Sequence, residues 1–272
     1  MSEVSVLTAA HQPNEQYLLE AYQSLLQQDI VWQWVLQLDG SATEIDQLPE
    51  LIRRDGRVHI SANGHHLGAA VTRNLALLRC DNDLIQNLDA DDTFYPNVLP
   101  VLAEAISPEG VAFAFGESHL TYADATQKHW QPAPWPEGTV EAGVIPDLWL
   151  ATGRHHVSLS ATMWKAVYLH AYGGWGAMKG MEDVYMLLAI ADEYAGAYVS
   201  KSVIRYRVHD LQSTQQPDLL NKKRELDHRM LVAARILASR LLQPKQQDGQ
   251  RPSFIEPHSG NRIALPFPFK QK

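Results

Sequence analysis

The segment Leu88-Asp89-Ala90-Asp91-Asp92 puts three carboxylates at the end of an apolar run. Residues 83–88 read as a strand, and in an extended chain side chains repeat every two residues. Asp89 and Asp91 therefore leave one face together. Neighbouring carboxylates repel, and a hard divalent cation such as Mn²⁺ or Mg²⁺ relieves that repulsion while leaving coordination sites for a phosphate. A plain acidic turn accounts for the same residues, because Asp favours turns and Tyr95-Pro96 follows. A second acidic pair, Glu182-Asp183, comes after the glycine-rich Gly173-Gly174-Trp175-Gly176 and before an apolar helical run over 184–191. Acids at a helix N-terminus are favoured by capping and by the helix dipole, which explains one of the two without any chemistry.

The elements that must position these groups can be read from periodicity. Strands are expected over 4–8, 32–38, 58–60 and 84–88. Helical spacing covers 14–28 (Leu18, Leu19, Tyr22, Leu25, Leu26), 44–54 and 67–78. Such strict alternation of strand and helix implies an α/β fold, a mostly parallel sheet with helices on both faces. Ligands of these sheets gather beyond the carboxyl ends of the strands. His11, Asp39 and the 89–92 acids all fall there. Further on come a helix over 96–106, a strand over 111–115, a loop over 130–138 with two tryptophans, and the alternation Arg205, Arg207, His209. An amphipathic stripe through Leu219, Leu220, Leu226, Met230, Leu231, Ala234, Leu237, Ala238 and Leu241 marks a C-terminal helix, able to pack on the same chain or on a second copy as a homodimer.

Four features in order resemble the family 2 glycosyltransferases: the opening 4–11, the Leu38-Asp39-Gly40-Ser41 turn, Asn63-x-x-x-x-Gly68-x-x-x-x-Arg73-Asn74, and Asp89-Ala90-Asp91-Asp92 as an Asp-x-Asp motif. The resemblance spans most of 4–210. It implies a GT-A fold, a metal-dependent inverting transfer from a nucleoside diphosphate-sugar, with UDP-sugar the expected donor, and an acceptor hydroxyl. It puts Thr8, Ala9, His11, Asp39, Arg73, Asp89, Ala90 and Trp175 at the donor, with Asp39 at uracil, His11 where relatives stack an aromatic ring, and Trp175 lining the sugar. Asp91 is the implied metal ligand, with His209 completing the shell. Asp183 is the implied general base and Glu182 its companion. The histidine at position 11 departs from the usual aromatic residue. His65 and His66 read as loop residues, and Gly153 to His156 as a candidate frame for the acceptor.

The implied division is a catalytic domain over 1–215, with a nucleotide half (1–95) and an acceptor half (96–215), then a helix and irregular tail over 216–272. A net charge of −8 argues against nucleic acid as partner, and the single Cys80 excludes an intrachain disulfide framework. No targeting segment or membrane-spanning run is visible, so the expected location is cytoplasmic, with peripheral membrane association open. Two other functions fit the same residues less well. A catalytically silent nucleotide-sugar-binding or assembly protein would not need Asp89, Asp91 and Asp183 together. A nucleotidyltransferase would need a glycine-rich basic loop after the first strand, where Thr8 to Asn14 supplies none.

Overall fold

The computed structural model describes residues 3–176, 180–210, 212 and 222–242. The tail from Gln243, the boundary at 215, residues Leu211, Ser213, Thr214, Leu219 and Leu220, and the side chains of Leu226 and Leu241 lie outside the described residues. The first half alternates as its periodicity requires: β1 (Glu3–Ala10), α1 (Glu15–Leu25), β2 (Val31–Leu38), α2 (Glu50–Arg53), β3 (Val58–Ala62), α3 (Ala69–Leu77) and β4 (Leu84–Asn87). Asn14 starts α1 by accepting the Tyr17 backbone N–H. The single helix expected over 44–54 is instead two pieces, a 3₁₀ turn (Ala42–Gln47) and α2. Pro49 explains the break, since a proline disfavours helical geometry at the residue before it, and Leu48 is extended.

The second half continues with β5 (Thr93–Phe94), α4 (Val98–Ala105), β6 (Val111–Thr121), β7 (Gln127–His129), β8 (Gly138–Val140), α5 (Val144–Thr152), β9 (Thr162–Lys165), α6 (Ala166–Ala171), α7 (Glu182–Glu193), β10 (Ala195–Arg207) and α8 (Lys222–Leu242). The described strands form one sheet in the order β3-β2-β1-β4-β9-β6-β10-β5, with β7 beside β6 and β8 beside β10. Strands β3, β2, β1 and β4 are parallel, as expected. Beyond them the sheet is mixed, because β9 runs antiparallel to both β4 and β6.

Alternation along the strands sends Val4, Val6, Trp34 and Leu36 to one core layer and Leu7, Val35 and Ile85 to the other. The first layer is closed by α1, α2 and α4, the second by α3 and α5 to α8. Fully burying one such large apolar side chain is worth about 1.5–3 kcal/mol, so these two layers dominate the fold. Helix α8 buries Val232, Ala233 and Ile236 in the second layer, while Leu231, Ala234 and Ala238 are exposed. Its packed face is thus rotated from the stripe that leucine spacing suggested. Arg240 pins the helix to the same chain through Asp192 and Asp147 at 2.7 Å each. No described helix is long and apolar enough to cross a membrane.

One irregularity aims the end of β10. Its pairing with β6 shifts register between Tyr198 and Ser202 and again before Ile204, bulges that bend the strand and re-aim its C-terminal end. Gly116 permits this: a Cβ there would stand 2.7 Å from the Lys201 carbonyl and 2.5 Å from Val203 Cγ2. Gly116→Ala should therefore lower unfolding stability by about 1–3 kcal/mol. An unchanged denaturant midpoint would contradict this account of the bulge.

Candidate active site

Two clusters lie past the carboxyl ends of β1, β2 and β4. The first is built around Asp39, which is only 3% exposed. Its Oδ1 accepts the Leu67 N–H at 2.6 Å and Asn63 Nδ2 at 2.9 Å. Its Oδ2 accepts the Gly68 N–H at 2.9 Å and lies 2.8 Å from His66 Nδ1. A carboxylate offers about four acceptor positions, and all are engaged. Burial works to raise the Asp39 pKa, but the bonds from Leu67, Asn63 and Gly68, with His66 alongside, outweigh it and hold it below the usual carboxylate value. His11 is exposed, its Nδ1 2.8 Å from the Asp39 carbonyl and its ring 4.4 Å from that of His66.

The motif from Asn63 to Asn74 ties this cluster to the next. Gly68, at φ +90°, lets the chain turn into α3 while its N–H reaches Asp39. Asn63 bridges Asp39 and Thr72. One turn further, Arg73 donates to Asp89 Oδ1 at 3.2 Å and to Glu182 Oε1 at 3.0 Å. Asn74 clamps both backbone groups of Trp175, each at 2.9 Å. Helix α3 thus joins the Asp-x-Asp strand end to the start of α7, far apart in sequence. Burial would lower the Arg73 pKa, but Asp89, Asp183 and Glu182 outweigh it and the net shift is upward.

Burial raises the pKa of Asp183 above the usual carboxylate value, against the pull of Arg73. Glu182 is raised by burial and then by the Asp183 charge. The N-cap position of α7 is Met181, in a left-handed conformation, and both acids lie in the first turn, where the helix dipole favours them. Asp183 Oδ1 accepts the Val184 N–H at 2.7 Å. Asp91 is raised by burial and by the charge of Asp89, and its Oδ2 lies 2.8 Å from His209 Nε2. Arg207 donates from Nε to the Asp91 carbonyl, pairs with Glu20 and lies over the Tyr17 ring. Asp92 is structural: it is 1% exposed, its Oδ1 accepts the Arg207 N–H at 2.8 Å, and burial lifts its pKa well above the usual value.

The structure buries two of the residues expected at the donor. Thr8 is fully buried, and its hydroxyl is spent between the Leu88 carbonyl and Trp34 Nε1, so it joins strands and does not face a ligand. Trp175 is 2% exposed and packed in the second core layer, so its ring lines no open sugar pocket. Ala9 and Ala90 are half-buried, Ala90 against the first core layer. His155, in the candidate acceptor frame, is held neutral by burial, which pushes its pKa down to about 4. Of the tryptophans in the 130–138 loop, Trp135 packs against Phe115 and Trp130 against His155. His65 and His66 lie in the loop before α3, as expected, and the fold sets His66 on Asp39, a placement that two adjacent histidines do not signal.

A metal could be held in either cluster. Among the described residues, the group of three donors whose ligand atoms all lie within 4.8 Å of one another is His11, Asp39 and His66. Asp91 and His209 form a converging pair in which the carboxylate suits Mn²⁺ or Mg²⁺ and the imidazole favours a transition metal such as Mn²⁺ over Mg²⁺. Asp89 is partly committed elsewhere, to Arg73 and to Ser160 Oγ at 3.2 Å.

The architecture, a mixed curled sheet between helical layers, is of the GT-A type. It superposes on the crystal structure of S. aureus TarS 1-349 in complex with UDP with a TM-score of 0.61 and 18% identity, covering 87% of this chain and 71% of that one. The complex with UDP-GlcNAc gives 0.62 and 17%, covering 87% and 72%. The sequence profile of glycosyl transferase family 2 matches residues 5–168, more than half of the chain, which therefore belongs to that family. The putative teichuronic acid biosynthesis glycosyltransferase TuaG of Bacillus subtilis (strain 168) is 30% identical over 126 residues, 45% of this chain. That match spans about half, 49%, of TuaG.

Removing Arg73 tests the electrostatics. Arg73→Ala leaves buried carboxylates uncompensated and should cost about 3–5 kcal/mol of stability at neutral pH. Glu182 and Asp183 have raised pKa values, so their contribution to folding is favourable below the ordinary carboxylate pKa and is lost as pH rises through the raised values. The deficit of the variant should shrink as pH falls towards that range. A deficit independent of pH would contradict the arrangement.

Proposed function

We propose that the protein is a metal-dependent, inverting glycosyltransferase that moves a sugar from a UDP-sugar to an acceptor hydroxyl. The observation that carries this reading is the Arg73 guanidinium, which holds Asp89 at 3.2 Å and Glu182 at 3.0 Å and so sets the Asp-x-Asp end beside the Glu-Asp pair. Membership of glycosyl transferase family 2 and the UDP and UDP-GlcNAc complexes of a protein with this fold support the donor class.

In this mechanism the base lies against His11 and Asp39, and Asp89 contacts the ribose or supports the metal. Asp91 and His209 would hold a divalent ion, which would supply positive charge to the departing diphosphate. Asp183 takes the proton of the acceptor hydroxyl as that oxygen attacks the anomeric carbon. Inversion requires attack from the side opposite the diphosphate, so base and metal site flank the sugar. Arg73 keeps Asp89 and Glu182 in place, and Glu182 in turn orients the acceptor side. A raised pKa makes the ionised Asp183 carboxylate a stronger base towards the acceptor proton.

Asp183→Asn should lower transfer about 10²- to 10⁴-fold while UDP binding is retained. In the wild type, transfer should rise with pH along a limb above the ordinary carboxylate pKa, and the limb should vanish in the variant. Near-normal turnover by Asp183→Asn would remove it as the base. Chelation should stop transfer and added Mn²⁺ should restore it; full activity in chelator would dismiss the metal.

A further inference from the structure

Resting on that reading of the base pocket, we infer that His66 is a placeholder for the nucleobase: its imidazole occupies the base site and must leave when the donor binds. A uracil ring in this pocket would make two contacts, stacking on residue 11 and an N–H bond to the Asp39 carboxylate. His66 makes both. Its ring lies 4.4 Å from that of His11, tilted by 42°, and its Nδ1 lies 2.8 Å from Asp39 Oδ2.

The other three hydrogen bonds to Asp39 come from Leu67, Gly68 and Asn63, two of them backbone groups of the loop itself. The contact with His66 is the one that can be exchanged without unfolding that loop. Its side chain is 63% exposed against 4% for Asp39, so solvent competes for the imidazole and receives it on release. Rotation of one side chain then opens an acceptor on Asp39 and a ring face on His11. An imide N–H suits that acceptor, whereas a base presenting only acceptor atoms there would leave Asp39 short of a donor. The exchange thus favours bases with an imide over those without.

The placeholder competes with donor, so removing it should strengthen binding. An exposed contact of this kind is worth at most about 1 kcal/mol, equivalent to about fivefold in affinity. His66→Ala should therefore bind UDP about two- to fivefold more tightly in Mg²⁺ by calorimetry, with unfolding stability little changed. The gain should extend to 3-methyl-UDP, whose imide carries no hydrogen, because the placeholder must leave for either ligand. Unchanged or weaker UDP binding by His66→Ala would overturn the placeholder, the latter making His66 a direct base contact. Metal content of the purified wild type is measured alongside; a stoichiometric transition metal lost in His66→Ala would overturn it in favour of an ion held by His11, Asp39 and His66. Should wild-type protein bind 3-methyl-UDP as tightly as UDP, the base-pocket reading itself fails. Discrimination by the wild type without a gain in the variant sinks the placeholder alone.

Discussion

A buried guanidinium among carboxylates is the interaction on which the site depends. Asp89, Glu182 and Asp183 come from two elements that share no sequence proximity, and without a cation they could stay ionised together only at a high cost in repulsion and burial. Arg73 supplies the cation from a third element. Because α3 is itself anchored by Asn63 on one side and by the Asn74 clamp on Trp175 on the other, the charge is delivered at a fixed place. The cost of burying Arg73 is offset by the acids it holds, and the cost of burying the acids is offset by Arg73.

The same logic of shared positioning extends to the pair Asp91 and His209. The bulge of β10 at Gly116 swings Arg207 and His209 under the Asp91 loop, and Asp92 ties that strand end by its backbone. Gln212 closes the turn by bonding the His209 N–H and the Arg207 carbonyl. Of the three acids in the Asp-x-Asp segment, one faces Arg73, one faces His209, and the last is spent on structure. Chemistry and folding are thus divided among adjacent residues of identical type.

Much of this was legible from residue pattern. Leu18, Tyr22 and Leu25 gave α1 by spacing, and the strand-helix alternation up to Leu88 gave the parallel half of the sheet, because these signals are local. The antiparallel β9 between β4 and β6 was not legible, since which strand fills that gap is decided by pairing across long separations. For helix α8 the leucine spacing suggested one stripe, and packing in the second core layer instead took Val232, Ala233 and Ile236. Thr8 and Trp175 sat in motifs that suggested a donor contact, yet burial decides whether such a residue faces ligand or core. The role of His66 depends on where a loop lays a side chain, for which periodicity has no term.

The central claim is that Asp39 and Asp91 lie at opposite ends of one nucleoside diphosphate. Calorimetric titration of UDP, GDP, dTDP and ADP, each with Mn²⁺ and with chelator, tests it most directly. A preference for UDP that requires Mn²⁺ is the expected result. Binding that is indifferent to both base and metal, or the absence of binding to all four nucleotides, would contradict it.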